Sequence, residues 1–353
     1  MPAEPPPKVI DPDYLTGVLH RSGVQGDARV RTVVVESSRP TILSRIDRLR
    51  LEYAGAAADA PGSIILKTGL HANSGEAWNS GRQEVAFYTH VAPTLSTGLV
   101  PRCFDADWNA DTHAWHILLE DLTDTHFIPT IWPLPPTLEQ CQTIIAARAR
   151  VHAAWWDDPR LGYTMGMKYD MNTTDQYVRD LTRHVAGFAE RLGDRLARER
   201  LELYERFLDA APRLLGRHRS HRDLTIIHGD SHVWNAFLPR DGGGDVRLFD
   251  WDGWRVGLAT NDLAYMMATH WYPDCRRRFE RPLLDHYHAA LLANGVRGYD
   301  RGALDDDYRL SVLMQIATPV WHAAFDLPPM IWWSHLERIM LAVEDLGCRD
   351  LLA

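Results

Sequence analysis

Alternating apolar positions mark the first part of the chain, and apolar positions three to four apart mark most of the rest. Asp11-Pro12 reads as a helix start with proline in the first turn, and Leu15, Val18 and Leu19 share one face before Gly23 ends the helix. The proline-rich residues 1–10 ahead of it are expected to be disordered. The β-branched run 30–35 predicts a strand, and a second strand is expected to end in Leu49, Leu51 and Tyr53. A third, 63–67, carries Lys67 out of an apolar run. Glu84 then falls on a predicted helix with Phe87, Tyr88 and Val91 spaced for one face. Trp108, Asn109, Ala110 and Asp111 predict a turn before a strand over 113–119.

Beyond residue 128 the pattern turns helical. Pro129, Pro133, Pro135 and Pro136 mark a rigid connection, and Thr137 with Gln140 forms a capping-box signature. The helix it starts carries Ile144, Ala147, Val151 and Trp155 on one stripe. Residues 173–218 predict one or two amphipathic helices. The last stretch is helical and aromatic, with Trp271, Tyr272, Tyr287, Trp321, Phe325, Trp332 and Trp333 read mainly as core. One segment interrupts the helices. Apolar runs 224–227 and 236–238 bracket His228, Asp230 and Asn235, and the turn 241–244 folds 236–238 back on 246–249 as a hairpin. After Gly253 and Gly257, Thr260 or Asn261 is expected to cap the next helix.

Composition narrows the classes. The chain has 353 residues, 45% hydrophobic and 24% charged, enough for a large core in two lobes. A net charge of −9 argues against a nucleic-acid partner. The basic run 217–222 reads as a solvated helix end. The four cysteines are far apart, so neither a zinc site nor a disulfide framework is suggested. With no signal-peptide pattern and no membrane-length apolar run, a cytoplasmic protein is expected. Nothing in the sequence bears on oligomeric state.

The hairpin would bring Asp250 and Asp252 beside Asn235 and Asp230. Hard oxygen ligands of this kind suit Mg²⁺ held with substrate phosphates, and a spare carboxylate suits proton acceptance. The ordered pattern, HGDSHVWN over 228–235 and then Asp250-Trp251-Asp252, resembles the catalytic and metal-binding loops of the aminoglycoside phosphotransferase and choline kinase branch of protein-kinase-like folds, including its ecdysteroid-kinase-like relatives. That resemblance implies an α+β, two-lobed kinase-like fold. Its nucleotide-binding lobe would be 1–121, an antiparallel sheet plus a helix, and its catalytic, mainly helical lobe 122–353. It also implies ATP or GTP as co-substrate. Lys67 would contact the phosphates and Glu84 would fix it. Ser37 and Ser38 would lie in the phosphate-covering loop, 36–41, which departs from the protein-kinase pattern in having no glycine. Glu120 and Leu122 of LLEDL, 118–122, would form the adenine-binding hinge. Asp230 would be the catalytic base, Asn235 and Asp250 the Mg²⁺ ligands, and Asp252 a ligand to a second ion. His228 and Asp262 would brace the loop.

The reading that follows is a small-molecule kinase acting on a hydroxyl, with an aminoglycoside or other antibiotic, an amino alcohol or a sterol-like alcohol as acceptor. Weighed beside it are a catalytically silent nucleotide-binding regulator, AMP transfer on the same fold, and a metal hydrolase built on His228, Asp230 and His232. The intact Lys67, Asp230, Asn235 and Asp250 argue against the silent form. His113 and His116, placed on opposite faces of one strand, and His126 are read as structural. His152 is read as a core hydrogen-bonding residue.

Overall fold

In a computed structural model the described residues are 8–23, 28–55, 60–70, 80–167, 169–242 and 244–353. They form two compact units, residues 1–127 with 237–253, and residues 128–236 with 254–353. Together they give the expected α+β architecture, one antiparallel sheet followed by a larger helical part. Of the segment expected to be disordered, residues 1–7 lie outside the described residues. Lys8–Ile10 is a helical turn that buries Val9.

In the first unit α1 (Pro12–Arg21) is capped by Asp11, whose carboxylate accepts from the amides of Asp13 and Tyr14, each at 3.0 Å. The sheet runs β1-β2-β3-β5-β4, all antiparallel, with β1 Arg29–Pro40, β2 Ser44–Ala54, β3 Ser63–Gly69, β4 Cys103–Trp108 and β5 Trp115–Glu120. Leu15, Val18 and Leu19 of α1 join Val30, Leu49, Leu51, Ile64, Leu66 and Leu118 in one core. Strand β4 alternates Phe104, Ala106 and Trp108 with Asp105 and Asp107. Its Asp105 accepts from Tyr14 at 2.5 Å and lies 2.7 Å from His116 Nε2, which ties α1 to the sheet edge. His113 is not on the strand. It sits in the preceding turn at φ +57°, behind Asn109, whose side chain accepts from Asp111 and Thr112. After α2 (Ser80–Ala86), a wider helical turn over Phe87–Val91 buries Phe87, Tyr88 and Val91. β6 (His126–Phe127) pairs with β8 (Ala236–Pro239), and β8 with β9 (Arg247–Leu248), so the predicted hairpin forms.

The second unit is helical, with one two-stranded ribbon in which β7 (Thr225–Ile227) pairs with β10 (Arg255–Gly257). The helix α3 (Leu138–Ala154) carries the full reciprocal capping box of Thr137 and Gln140. Its Ile144, Ala147 and Val151, and Trp155 at its C-cap, are buried. The 173–218 segment resolves into α4 (Met171–Leu192), α5 (Arg198–Leu214) and the single turn α6 (Gly216–Arg219). There follow α7 (Thr260–Ala264), α8 (Pro273–Ala293), α9 (Arg301–Met314), α10 (Ala317–Ala324) and α11 (Pro329–Asp345). The expected side-chain cap on α7 does not form. Ala259 is the capping residue, and the Thr260 hydroxyl pairs with Ser311 at 2.8 Å. Of the tail aromatics Trp271, Tyr287 and Trp332 are buried, whereas Tyr272 and Phe325 are exposed. Among the described residues no helix is long and apolar enough to cross a membrane.

Candidate active site

In the first unit β3 delivers Lys67 into the interior, 8% exposed. Its Nζ lies 2.6 Å from Glu84 Oε2 on α2 and 2.5 Å from Asp250 Oδ1 after β9. Burial by itself lowers an ammonium pKa; Asp250 and Glu84 reverse that and leave Lys67 above its ordinary value. Burial lifts the Glu84 carboxyl, against the pull of Lys67 and of a bond from the Trp251 amide. Asp250 is held in the left-handed region at φ +66°, a conformation that costs a non-glycine residue about 1–3 kcal/mol. The next residue shows what holds it there. Trp251 is buried, donates its indole N–H to Leu248 O at 3.0 Å, and stacks on Phe87 at 4.0 Å and 7°. Asp250 is thus pinned from one side by a packed ring and from the other by an ammonium. Asp252 follows in the same short turn, Trp251–Gly253.

Ser37 and Ser38 are not in a loop. The stretch expected to cover phosphate continues β1 as far as Pro40, with Ser37 opposite Arg48 and Ser38 opposite Asp47. Cross-strand ion pairs explain the extension, since Glu36 meets Arg48 at 2.9 Å and also pairs with Arg50. The reversal comes later, where the Thr41 amide donates to Ser44 O at 2.7 Å. In the expected hinge the Glu120 side chain accepts from the Arg102 amide at 3.1 Å, and the Leu122 carbonyl accepts from Thr125 and His126. Asp121 between them is taken up by Arg48 and Ser63, each at 2.6 Å.

In the second unit the 228–235 loop is built around a buried carboxylate. Asp262 Oδ2 accepts from the His228 amide at 2.8 Å, Oδ1 from the Gly229 amide at 3.0 Å, and its carbonyl accepts from the Ser231 hydroxyl at 2.7 Å. Gly229 turns the chain at φ +83°. From α3, His152 reaches Asp262 at 3.2 Å and the Tyr287 hydroxyl at 2.7 Å, in its expected core role. One helical turn earlier, Arg148 donates to the His232 carbonyl at 3.1 Å. The Asn235 amide nitrogen donates to both the carbonyl and the carboxylate of Asp230, at 2.9 and 3.0 Å, which leaves the amide oxygen as its donor atom for a ligand. His232 Nε2 is 3.4 Å from Asp230 Oδ2. Burial pushes the Asp230 pKa up, but His232, a bond from the Tyr265 side chain, His228 and His270 outweigh it, and the carboxyl titrates below its ordinary range. Asp230 is therefore an anion at neutral pH, able to orient and accept from a hydroxyl.

Arg148, Tyr265 and the packing of Phe87 on Trp251 carry no sequence signal of their own. Beyond His232 lies a row of imidazoles. Ring centres are 5.5 Å apart for His232 and His270, and 4.7 Å for His270 and His335; His335 Nδ1 is 3.3 Å from His322 Nδ1. Among the described residues no group of three or more His, Cys, Asp or Glu is disposed to hold a metal ion.

The profile of the ecdysteroid kinase-like family matches residues 41–295. No curated protein matches the chain. Among solved structures, the fold is shared with a candidate aminoglycoside phosphotransferase from Ralstonia eutropha, at TM-score 0.57 and 11% identity over 96% of this chain and 97% of that one. It is shared also with choline kinases from Cryptosporidium parvum (TM-score 0.54, 11% identity, 95% and 96% covered) and from Streptococcus pneumoniae (0.53, 11%, 90% and 94%).

Proposed function

The chain belongs to the ecdysteroid kinase-like family, and from that membership together with the Lys67 cluster we propose that it is a small-molecule kinase transferring the γ-phosphoryl group of ATP or GTP to a hydroxyl. The observation that carries this reading is a buried ammonium clamped by a helix carboxylate and a loop carboxylate. A structural ion pair needs one partner; a lysine held by two, with Asp250 kept in a costly backbone conformation, is fixed for an anionic ligand. Lys67 neutralises nucleotide phosphate charge, and Glu84 keeps it from following Asp250. Ser37, Ser38, Glu120 and Leu122 are further proposed nucleotide contacts.

Asn235, Asp250 and Asp252 would hold Mg²⁺, and the donor chemistry fits, because Asn235 turns its nitrogen to Asp230 and presents oxygen. The bound ion supplies charge neutralisation to the phosphates. Asp230 accepts the acceptor's hydrogen bond and then its proton as the oxygen attacks phosphorus. Because the transition state is loose, Asp230 acts first by orientation and only late as a base.

The test is turnover of ATP and GTP with Mg²⁺ against a pooled panel of aminoglycosides, choline-like amines, sterols, nucleosides and macrolides, read by mass spectrometry beside Asp230→Ala. A product heavier by one phosphoryl group, absent with the variant, supports the reading. A nucleotidyl adduct would make the protein an AMP transferase, nucleotide binding without any product would favour the silent regulator, and no nucleotide binding would sink all three.

A further inference from the structure

Tyr265 lies three residues after Asp262, so the two side chains leave one face of the helical chain. Asp262 takes the amides of His228 and Gly229 on its carboxylate and the Ser231 hydroxyl on its carbonyl, which lays the 228–231 loop against that face. Tyr265 continues the contact, because its side chain bonds the Asp230 carboxylate, and a phenol meets a carboxylate only as a donor. The ring itself is fixed. It is buried, with its centre 5.0 Å from that of His270 and 6.5 Å from that of His335, and the Tyr265 carbonyl accepts from His270 Nδ1 at 2.9 Å. From Tyr265 to Thr269 the helix widens into a single π turn, an interruption frequent where a helix serves a site.

Three groups thus converge on one carboxylate. Asn235 Nδ2 is 3.0 Å from Asp230 Oδ2, His232 Nε2 is 3.4 Å from the same oxygen, and the Tyr265 hydroxyl comes from the helix. Asn235 and His232 belong to the loop that carries Asp230 and move with it. Tyr265 ties the carboxylate to a packed helix instead. The Asp230 side chain is still 34% exposed, so a direction remains open for a further donor. A carboxylate turns about its Cβ–Cγ bond in a broad, shallow well, and a donor held from outside the loop narrows that rotation. The effect on basicity runs the other way, since a hydrogen bond to the charged form makes the carboxylate a weaker base. Tyr265 therefore helps the reaction if orientation governs it and hinders it if basicity does.

We propose that Tyr265 is a positioning residue for phosphoryl transfer, its hydroxyl fixing the rotation of the Asp230 carboxylate so that the open direction meets the hydroxyl to be phosphorylated. This role rests on the kinase reading; the bond between the two side chains does not.

The test takes the full chain, Tyr265→Phe, Asp230→Ala and the double variant. Turnover is read as nucleoside diphosphate formed from ATP or GTP with Mg²⁺, with water and the pooled compounds named above as acceptors. Tyr265→Phe keeps the ring and loses the hydroxyl, and it is expected to lower kcat at least about tenfold with nucleotide affinity changed by less than about twofold. In the Asp230→Ala background the same change should alter the residual rate by less than about twofold, because the group it positions is gone. Urea midpoints of the four chains read the bond without turnover. The losses from Tyr265→Phe and Asp230→Ala should overlap, the double variant losing less than their sum. Unchanged turnover in Tyr265→Phe overturns the proposal, and faster turnover does so by showing that basicity governs the step. An equal fall of kcat in both backgrounds, or additive midpoint losses, also overturns it and leaves Tyr265 a packing residue. Absent turnover in the unaltered chain would sink the kinase reading and this role with it, whereas overlapping midpoint losses would still show the bond.

Discussion

The Asn235 amide nitrogen bonds Asp230 twice, through the backbone carbonyl and through the carboxylate. The two residues are therefore one unit. Asp230→Asn keeps an acceptor oxygen for Asn235, so the loop should persist while the base is lost. We expect kcat to fall about 10²–10⁴-fold, the usual contribution of a general base, with nucleotide affinity changed by less than about twofold. Asn235→Asp faces two acceptors with a third and should lose both activity and loop order. Steady-state kinetics beside nucleotide titration separates the two variants, and retained turnover in Asp230→Asn would remove Asp230 from the chemistry.

Lys67 holds apart two carboxylates that would otherwise repel. Lys67→Met leaves the buried Glu84 without its counter-charge, and breaking a buried pair from one side costs about 3–5 kcal/mol. Adding Glu84→Gln should restore most of that stability without restoring nucleotide binding. Chemical denaturation gives the first quantity and calorimetric titration the second. Recovery of nucleotide affinity in the double variant would make the cluster structural.

Much of this site was legible in the sequence because its parts are local. The 228–235 loop, the hairpin after it, the Asp250-Trp251-Asp252 turn and the Thr137–Gln140 cap each depend on residues within a few positions of one another. The extension of β1 through Ser37 and Ser38 was not legible, since it depends on Arg48 and Arg50 across the ladder meeting Glu36. Strand β4 was missed because two of its six residues are aspartate, a residue depleted in strands, and one of them is taken up by Tyr14, 91 positions away. The same holds for Arg148 on the His232 carbonyl and for Phe87 under Trp251. Long-range side-chain contacts leave no periodic trace.

Arg148 is nearly without solvent contact, and its bond to the His232 carbonyl supports the loop from behind. Arg148→Met matches its volume and leaves that carbonyl unsatisfied, a loss of about 1–3 kcal/mol. Because His232 lies beside Asp230, kcat should fall with little change in nucleotide affinity. A drop in stability with unchanged kcat would restrict Arg148 to a packing role.

The imidazole row makes the protein acid-sensitive in a window set by its own pKa values. Burial, then the charge of His232, pushes His270 down from 6.5 to about 3, and burial pushes His322 down to about 4. In the unfolded chain both take up a proton near pH 6.5, whereas in the folded chain they do so only far below it. Between those limits the unfolded state binds more protons, so stability rises with pH. The contribution is fully present above about pH 6.5 and is lost as pH falls toward 4. Urea midpoints measured from pH 7.5 to 4.5 should therefore decline, and His322→Gln should decline less steeply because it removes one of the protonations. A variant with the same slope as the unaltered chain would show that His322 is not buried as a neutral imidazole.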